Sequence, residues 1–325
     1  MPRAILHVVL LAVLGLVAPP LGRAGAQDYP TRPIHVIVPF STGGPSDILS
    51  RLIGAKLTEA WGQPVIVDSR AGAGGIIGTE LAVKAAPDGY TLVLDNLADA
   101  ISVGLYPKLP YDLVRDLRPV SLIANSPFLL VVHPSVPVHS VVELIALARA
   151  KPGSLAFASA GVGTPSHMSG ELLKWMAHID LTHVPYKGQA PATADVLAGQ
   201  VPLMFTNPLN GLAFVRDGRL RALAVSTSHR IAAAPDVPTV AEAGVPGFDV
   251  GIWFGFQAPA KTPDWIVRKL ADQIRKILEA PDVRAQLAAQ GAEPLPEGPD
   301  AFAARIRADI DKWSALIKAA GLHPE

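Results

Sequence analysis

Cysteine is missing from all 325 residues of this chain. Without a thiol there is no disulfide, no lipid-modified cysteine anchor and no thiolate chemistry. Net charge is missing as well, since 28 Lys and Arg stand against 28 Asp and Glu. Binding a phosphate backbone needs a concentrated excess of basic side chains, so this balance argues against a nucleic-acid partner, and no like-charge run supplies a local patch. None of the nine His residues sits in a metal-ligand spacing such as His-Glu-x-x-His. A phosphate-binding Gly-rich loop with Lys-Ser/Thr is absent too. No metal and no cofactor are therefore expected.

What is present begins with an export signal. Arg3 supplies the positive start, Ile5 to Val17 the apolar stretch, and Ala24-Gly25-Ala26 the small residues of a cleavage site. The apolar run is shorter than the ~20 residues of a spanning helix and is followed by Pro19-Pro20. Cleavage would make Gln27 the first mature residue and remove Arg3 and Arg23, leaving 26 bases against 28 acids. A soluble chain of this size divides into two domains of ordinary size.

From residue 34 onward, short β-rich runs alternate with amphipathic stretches, the pattern of βαβ units around mostly parallel sheets flanked by helices. Strands are expected at Ile34 to Phe40, Val65 to Val67, Thr91 to Leu94, Leu129 to Val132, Leu155 to Ala158, Leu203 to Phe205, Leu220 to Val225 and Trp253 to Gln257. Helices are expected from about Asp47, over Ile76 to Leu81, from a Ser140/Glu143 capping box, and over Ser166 to Ala177. Three more close the chain, the last carrying Phe302, Ile306, Ile310, Trp313 and Ile317 at helical spacing. No strand follows them, so they are expected to cover the first sheet. Met168, Trp175 and Met176 are expected in the core, and Trp253 near the return of the chain, where it would report closure.

Three turns rich in small residues join a strand to a helix. They are Phe40-Ser41-Thr42-Gly43-Gly44-Pro45-Ser46-Asp47, Gly72-Ala73-Gly74-Gly75-Ile76-Ile77-Gly78, and Ser159-Ala160-Gly161-Val162-Gly163-Thr164-Pro165-Ser166-His167. Glycine admits a close approach to backbone, and the free amides and dipole of a helix start attract an anion. Each turn by itself also fits an ordinary capped βα connection. The second is not a dinucleotide fingerprint, because Ile77 stands where the third glycine belongs. Neither Arg nor Lys lies within the first or third turn, so a carboxylate there would meet amides, water and the hydroxyls of Thr42, Ser46 and Thr164. His167 would either bond that carboxylate or be satisfied within its own turn.

The order and spacing of several segments resemble the extracytoplasmic receptors of tripartite tricarboxylate transporters, the Bug receptors. The resemblance runs over Tyr29-Pro30-Thr31-Arg32-Pro33-Ile34, Pro39 to Asp47, Gly72 to Gly78, Asp88-Gly89-Tyr90-Thr91-Leu92, Leu109-Pro110-Tyr111-Asp112, Gly163-Thr164-Pro165-Ser166-His167, Val184-Pro185-Tyr186-Lys187-Gly188, Leu220 to Val225 and Pro235 to Gly244. It implies a two-lobed periplasmic-binding-protein fold crossed twice by the chain, with lobe 1 over residues 27–125 and 250–325 and lobe 2 over residues 126–249. It also implies a small carboxylate held between the lobes by Phe40, Thr42, Gly43, Gly44 and Ser46 from one side and Ser159, Gly161, Gly163, Thr164 and His167 from the other. Ala73, Gly74 and Gly75 would line the same cleft. A monomer is implied, with the membrane subunits of such a transporter as its partners.

Two departures bear on selectivity. Members commonly carry a His-Ala-Ile-Asn-Pro-like stretch where this chain reads Asp95-Asn96-Leu97-Ala98-Asp99, and Phe-Asp-Asn where it reads Phe205-Thr206-Asn207. Asp95, Asn96 and Thr206 are therefore expected at the distal part of the ligand, with Asp95 or Asp99 favouring an amino group, rejecting a second carboxylate, or lying in solvated loops. The competing function is an enzyme acting on a small carboxylic acid on the same scaffold, which fold alone does not exclude. No Gly-x-Ser-x-Gly elbow supports it, and Ser166 and His167 are merely neighbours in sequence.

Overall fold

The computed structural model describes residues 28–322. The expected export signal, residues 1–26, lies outside them. In chain order the first segment forms β1 (Ile34–Val38), α1 (Pro45–Trp61), β2 (Val65–Ser69), α2 (Ile76–Val83), β3 (Thr91–Asn96), α3 (Leu97–Leu105), α4 (Leu113–Asp116) and β4 (Leu117–Pro127). The second forms β5 (Leu129–Val132), α5 (Val141–Ala150), β6 (Ala156–Ser159), α6 (Pro165–Ala177), β7 (Thr182–Pro185), α7 (Gln189–Leu197), β8 (Leu203–Thr206), α8 (Pro208–Arg216) and β9 (Arg221–Val225). The chain then returns through β10 (Gly251–Pro259), α9 (Asp264–Glu279), α10 (Pro281–Ala289), β11 (Glu293–Pro294) and α11 (Pro299–Ala320).

Two sheets result, ordered β11-β4-β10-β3-β1-β2 and β7-β6-β8-β5-β9, and each belongs to one lobe. Strands β2, β1 and β3 pair in parallel, as do β7, β6 and β8, while β10 and β5 run against their neighbours. The parallel character expected from the βαβ pattern thus fills one half of each sheet. The reason lies in the crossings: β5 and β10 arrive from the opposite lobe and run away from the cleft, whereas β1, β3, β6 and β8 end at it. Helices that follow those strand ends start at the cleft, the geometry that makes ligand crevices in α/β folds.

The two passages between lobes lie side by side. Only Phe128 separates β4 from β5, and its amide donates to Ser226 Oγ at 2.8 Å while its carbonyl accepts from the Ser226 amide at 2.8 Å. Ser226 Oγ donates to the Val250 carbonyl at 2.5 Å, and the Val250 amide returns to the Ser226 carbonyl at 2.8 Å. One buried serine therefore holds both crossings together.

Local signals account for most boundaries. Ser140 Oγ accepts from the Glu143 amide, and Glu143 Oε2 accepts from the His139 amide at 2.6 Å, one residue earlier than in the usual reciprocal box. Buried Leu270, Ile274 and Ile277 of α9 and Phe302, Ile306, Trp313 and Ile317 of α11 close over the first sheet, each of the aliphatic and Phe side chains contributing roughly 1.5 to 3 kcal/mol by leaving water. Trp253 is fully buried beneath α11, where its Nε1 donates to Asp309 Oδ2 at 2.8 Å. Trp175, expected inside, is 54% exposed on the outer face of α6, while Met168 is buried.

Strand β4 carries no expectation from sequence, because Pro119, Ser121, Asn125 and Ser126 interrupt its apolar pattern. Pairing rescues it. Pro119 stands opposite Gln257 where the register of β10 shifts, a place in a sheet that tolerates a missing amide.

Candidate functional site

The lobes are closed on each other. Asn210 Nδ2 of lobe 2 donates to the Gly43 carbonyl of lobe 1 at 2.9 Å. A Cβ placed on Gly74 would lie 2.6 Å from the Val162 carbonyl oxygen, and one on Gly188 would lie 2.9 Å from the Ser41 amide nitrogen. Backbone meets backbone at these points, which only glycine allows.

Between the lobes lie two adjoining cavities. The inner one, about 40 Å³, is lined by Phe40, Gly44, Pro45, Ser46, Asn96, Phe128, Ala160, Thr164, Pro165, Ser166, Gln189, Asn207, Ile252 and Phe254. The outer one, about 320 Å³, shares Phe40 and Ala160 and adds Gly72, Ala73, Gly74, Gly75, Tyr106, Gly161, Val162, Pro185, Tyr186 and Lys187.

Five helices start at the inner cavity: α1 at Pro45, α3 after its cap Asn96, α6 after its cap Thr164, α7 at Gln189 and α8 after its cap Asn207. Each helix start carries roughly half a positive charge on amides that have no partner within the helix. Among the described residues no charged side chain lines this cavity. Its positive character is therefore carried by backbone.

The polar side chains there are braced. Asn96 Oδ1 accepts from the Ala98 amide at 2.8 Å while its Nδ2 donates to Ser46 Oγ at 3.3 Å, joining the starts of α3 and α1. Ser166 Oγ accepts from the Ala160 amide at 3.0 Å, and Thr164 Oγ1 donates to the Gly161 carbonyl at 2.7 Å. Gln189 Nε2 donates to the Phe205 carbonyl at 3.3 Å. Asn207 Oδ1 caps α8 by accepting from the Leu209 amide at 3.1 Å, and Ser126 Oγ beside the first crossing lies 3.5 Å from the same oxygen.

Of the residues expected from sequence, Phe40, Gly44, Ser46, Asn96 and Thr164 line the inner cavity, and Ala73, Gly74, Gly75 and Gly161 line the outer one. The other seven sit elsewhere. Thr42 and Gly43 are exposed at the rim. Ser159 is buried in its own turn, its Oγ accepting from the Gly161 amide and lying 2.6 Å from His183 Nε2. Gly163 abuts Leu105 of the other lobe. Thr206 is fully buried against Gly211.

His167 is likewise turned inward. Its ring stacks on His183 at 4.0 Å between centroids, with Phe157 on the His183 ring in turn, and its Nδ1 accepts from the Gly163 amide at 3.2 Å. Burial, helped by His183 and Lys174, pushes its pKa down to about 3, so it stays a neutral acceptor that orients the turn.

Asp95 and Asp99 do not reach the ligand cavities at all. Both are fully buried behind β3, where Thr79 Oγ1 donates to Asp95 at 3.3 Å and to Asp99 at 3.0 Å. Gln257 Nε2 donates to Asp95 at 2.7 Å and Tyr111 to Asp99 at 3.1 Å. Burial, with Asp99 beside it, holds the Asp95 carboxyl well above the ordinary range, and burial raises Asp99 too. A shared proton makes such a pair tolerable in the interior. Strand alternation turned Asp95 inward and left its neighbour Asn96 at the cavity.

Pro45, Phe128, Ala160, Pro165, Ser166, Gln189, Asn207, Ile252 and Phe254 line the inner cavity without having been singled out. For Asn207 a signal existed: Asn followed by Pro is a helix start, and it comes at the end of a strand. Phe128, Ile252 and Phe254 carried none, since their exposure to the cavity follows from where the crossings lie.

These features agree with what the chain is similar to. The family described as "Tripartite tricarboxylate transporter family receptor" matches residues 49–322. Protein BugT of Bordetella pertussis (strain Tohama I) is 39% identical over 317 residues, covering 96% of this chain and 97% of BugT. The solved structure of the periplasmic binding protein BugD is 33% identical, with a TM-score of 0.88 over 91% of this chain and 100% of that one. R. palustris Rpa4515 with adipate is 37% identical, with a TM-score of 0.88 over 92% of this chain and 100% of that one. With a two-lobed fold, a closed interlobe cleft and similarity along nearly its whole described length, this chain belongs to the tripartite tricarboxylate transporter receptor family.

Proposed function

We propose that the chain is an exported receptor that closes its two lobes, residues 27–125 with 250–325 and residues 126–249, around one small organic carboxylate. It hands the ligand on chemically unchanged to membrane transporter subunits or a sensor. The observation that carries this reading is the meeting of five helix starts at one small cavity lined by no charged side chain. Amides and hydroxyls held in place by the fold bind an anion without reorganising, and water-bridged contacts complete the shell. The adipate in Rpa4515 supports a carboxylate as the ligand class. Receptor rather than enzyme fits the cavity chemistry, since the hydroxyls of Ser46, Thr164 and Ser166 have no base among the lining residues.

The test is a thermal-shift screen of mono-, di- and tricarboxylates followed by calorimetry on the best ligand and its primary amide. Charge-assisted hydrogen bonds contribute ~1.5 to 3 kcal/mol each, and an amide presents donors to donors. The amide is expected to bind about a hundredfold more weakly, a loss of roughly 3 kcal/mol. Equal affinity for acid and amide would place the carboxylate away from the helix starts.

Export is part of the same reading. Among the described residues no helix is long and apolar enough to cross a membrane. Protein recovered from the periplasmic fraction is expected to begin at Gln27. An intact mass that retains residues 1–26 would refute cleavage after Ala26.

A further inference from the structure

We propose that the inner cavity discriminates against an ammonium group, so that this receptor takes plain and hydroxy-substituted carboxylates in preference to amino acids of the same skeleton. The inference deepens the carboxylate-receptor reading and rests on it.

The argument starts from where the acids are. An α-ammonium lies one carbon from its carboxylate, so wherever the carboxylate is held, the ammonium enters the same field. An acidic side chain is the strongest partner for a cation in a closed cleft, and desolvating a charge without such a partner is expensive. Among the described residues no acid lines the inner cavity, and the only charged side chain lining the outer one is Lys187, which carries the wrong sign.

The nearest acids in sequence are all engaged elsewhere. Asp47, in the first turn of α1, accepts from the Gly43 amide at 2.9 Å and pairs with Arg51 at 2.9 Å. Asp95 and Asp99 adjoin the cavity residue Asn96 yet are fully buried behind it, bound by Thr79, Tyr111 and Gln257. An ammonium would face five helix starts instead, each repelling it. The rest of the wall includes Phe128, Ile252 and Phe254, which suit an uncharged carbon skeleton. A hydroxyl, by contrast, donates and accepts, and the amides and hydroxyls of Ser46 and Ser166 accommodate it.

The experiment is calorimetry on matched pairs: malate with aspartate, 2-hydroxyglutarate with glutamate, and adipate with 2-aminoadipate. In every pair that binds, the nitrogen-free member is expected to be at least ~30-fold tighter. The variant Asn207→Asp sets a carboxylate at the cavity while keeping the α8 cap, since Asp caps as well as Asn. It is expected to shrink the preference by about tenfold or more. Amino members that bind as tightly as their partners, or an unchanged preference in folded Asn207→Asp, would overturn the ammonium exclusion and leave the receptor reading intact. If no member of any pair binds, nor any mono- or tricarboxylate, the receptor reading falls and this inference falls with it.

Discussion

Gly188→Ala and Gly74→Val are each expected to weaken every ligand about a hundredfold while leaving the separate lobes folded. Gly188 begins α7 in lobe 2 with φ 142°, and a Cβ there would stand 2.8 Å from Ser41 Cβ and 2.9 Å from the Ser41 amide nitrogen of lobe 1. A Cβ on Gly74 would stand 2.6 Å from the Val162 carbonyl oxygen of lobe 2. Backbone atoms cannot swing away as a side chain does, so the closed state is lost unless the lobes shift apart. Opening removes the clash but also separates the two halves of the ligand shell, and a hundredfold loss corresponds to about 2.7 kcal/mol.

Positive φ adds a separate backbone cost of roughly 1 to 3 kcal/mol, larger at Gly188, whose φ 142° and ψ 172° suit glycine alone, than at the αL position of Gly74. Gly218 controls for the αL part, with φ 70° and nothing within 4 Å of its added Cβ. Gly218→Ala is expected to lose stability only, with affinity unchanged. Calorimetry gives the affinities, and small-angle scattering at saturating ligand shows compaction for wild type and Gly218→Ala but not for the other two. Unaltered affinity in Gly188→Ala would mean that the bound state is more open than this one. The same geometry revises Gly163, expected to admit the ligand: it admits Leu105 of the opposite lobe.

Stability is expected to show two opposing pH dependences in one chain, separable by single substitutions. His167 has its folded pKa pushed down to about 3 by burial, below the ordinary 6.5 of the unfolded chain. Its contribution is present above pH 6.5 and is lost as pH falls from 6.5 towards 3. At about 1.4 kcal/mol per pH unit the loss is roughly 2 kcal/mol by pH 5 and about 4 kcal/mol near pH 3.5.

The Asp95–Asp99 pair acts in the other direction. Its folded pKa is raised, so its contribution is present below the unfolded carboxylate range and is lost as pH rises through the folded value. In the overlapping window the two slopes offset each other. Asp95→Asn keeps one acceptor oxygen, for Gln257, and exchanges the oxygen that faces Thr79 for an amide, while Thr79 still donates to Asp99. It cannot ionise, so it is expected to be relatively more stable at high pH and to steepen the acid loss. His167→Asn keeps an acceptor for the Gly163 amide but cannot take up the proton. It costs stability at pH 7, and its acid slope flattens. Urea midpoints from pH 4 to 8 provide the measurement. An acid slope in His167→Asn identical to wild type would show that His167 is not the group that titrates.

Legibility from sequence followed the range of the interactions. The Ser140 cap and the strand Leu129–Val132 are decided within a few residues, and the structure places them as the sequence reading did; α1 begins at Pro45, two residues before the expected Asp47. Features set by distant partners were not readable. Strand β4 with its proline exists because β10, more than a hundred residues later, pairs with it across a register shift.

Three strand-to-helix turns and their small residues were determined by the sequence alone, because glycine, proline and capping hydroxyls act on their own neighbours. Which side each strand-end residue faces was decided only by the tertiary structure. Side chains alternate along a strand, so a step of one residue exchanges cavity for core: Asn207 lines the site where Thr206 was expected, and Asn96 lines it while Asp95 turns inside. The fate of the acids was decided at still longer range. Asp95 is tolerable in the interior because Gln257, 162 residues away, donates to it and Asp99 lies beside it, and that burial is what leaves the ligand cavity without a negative charge.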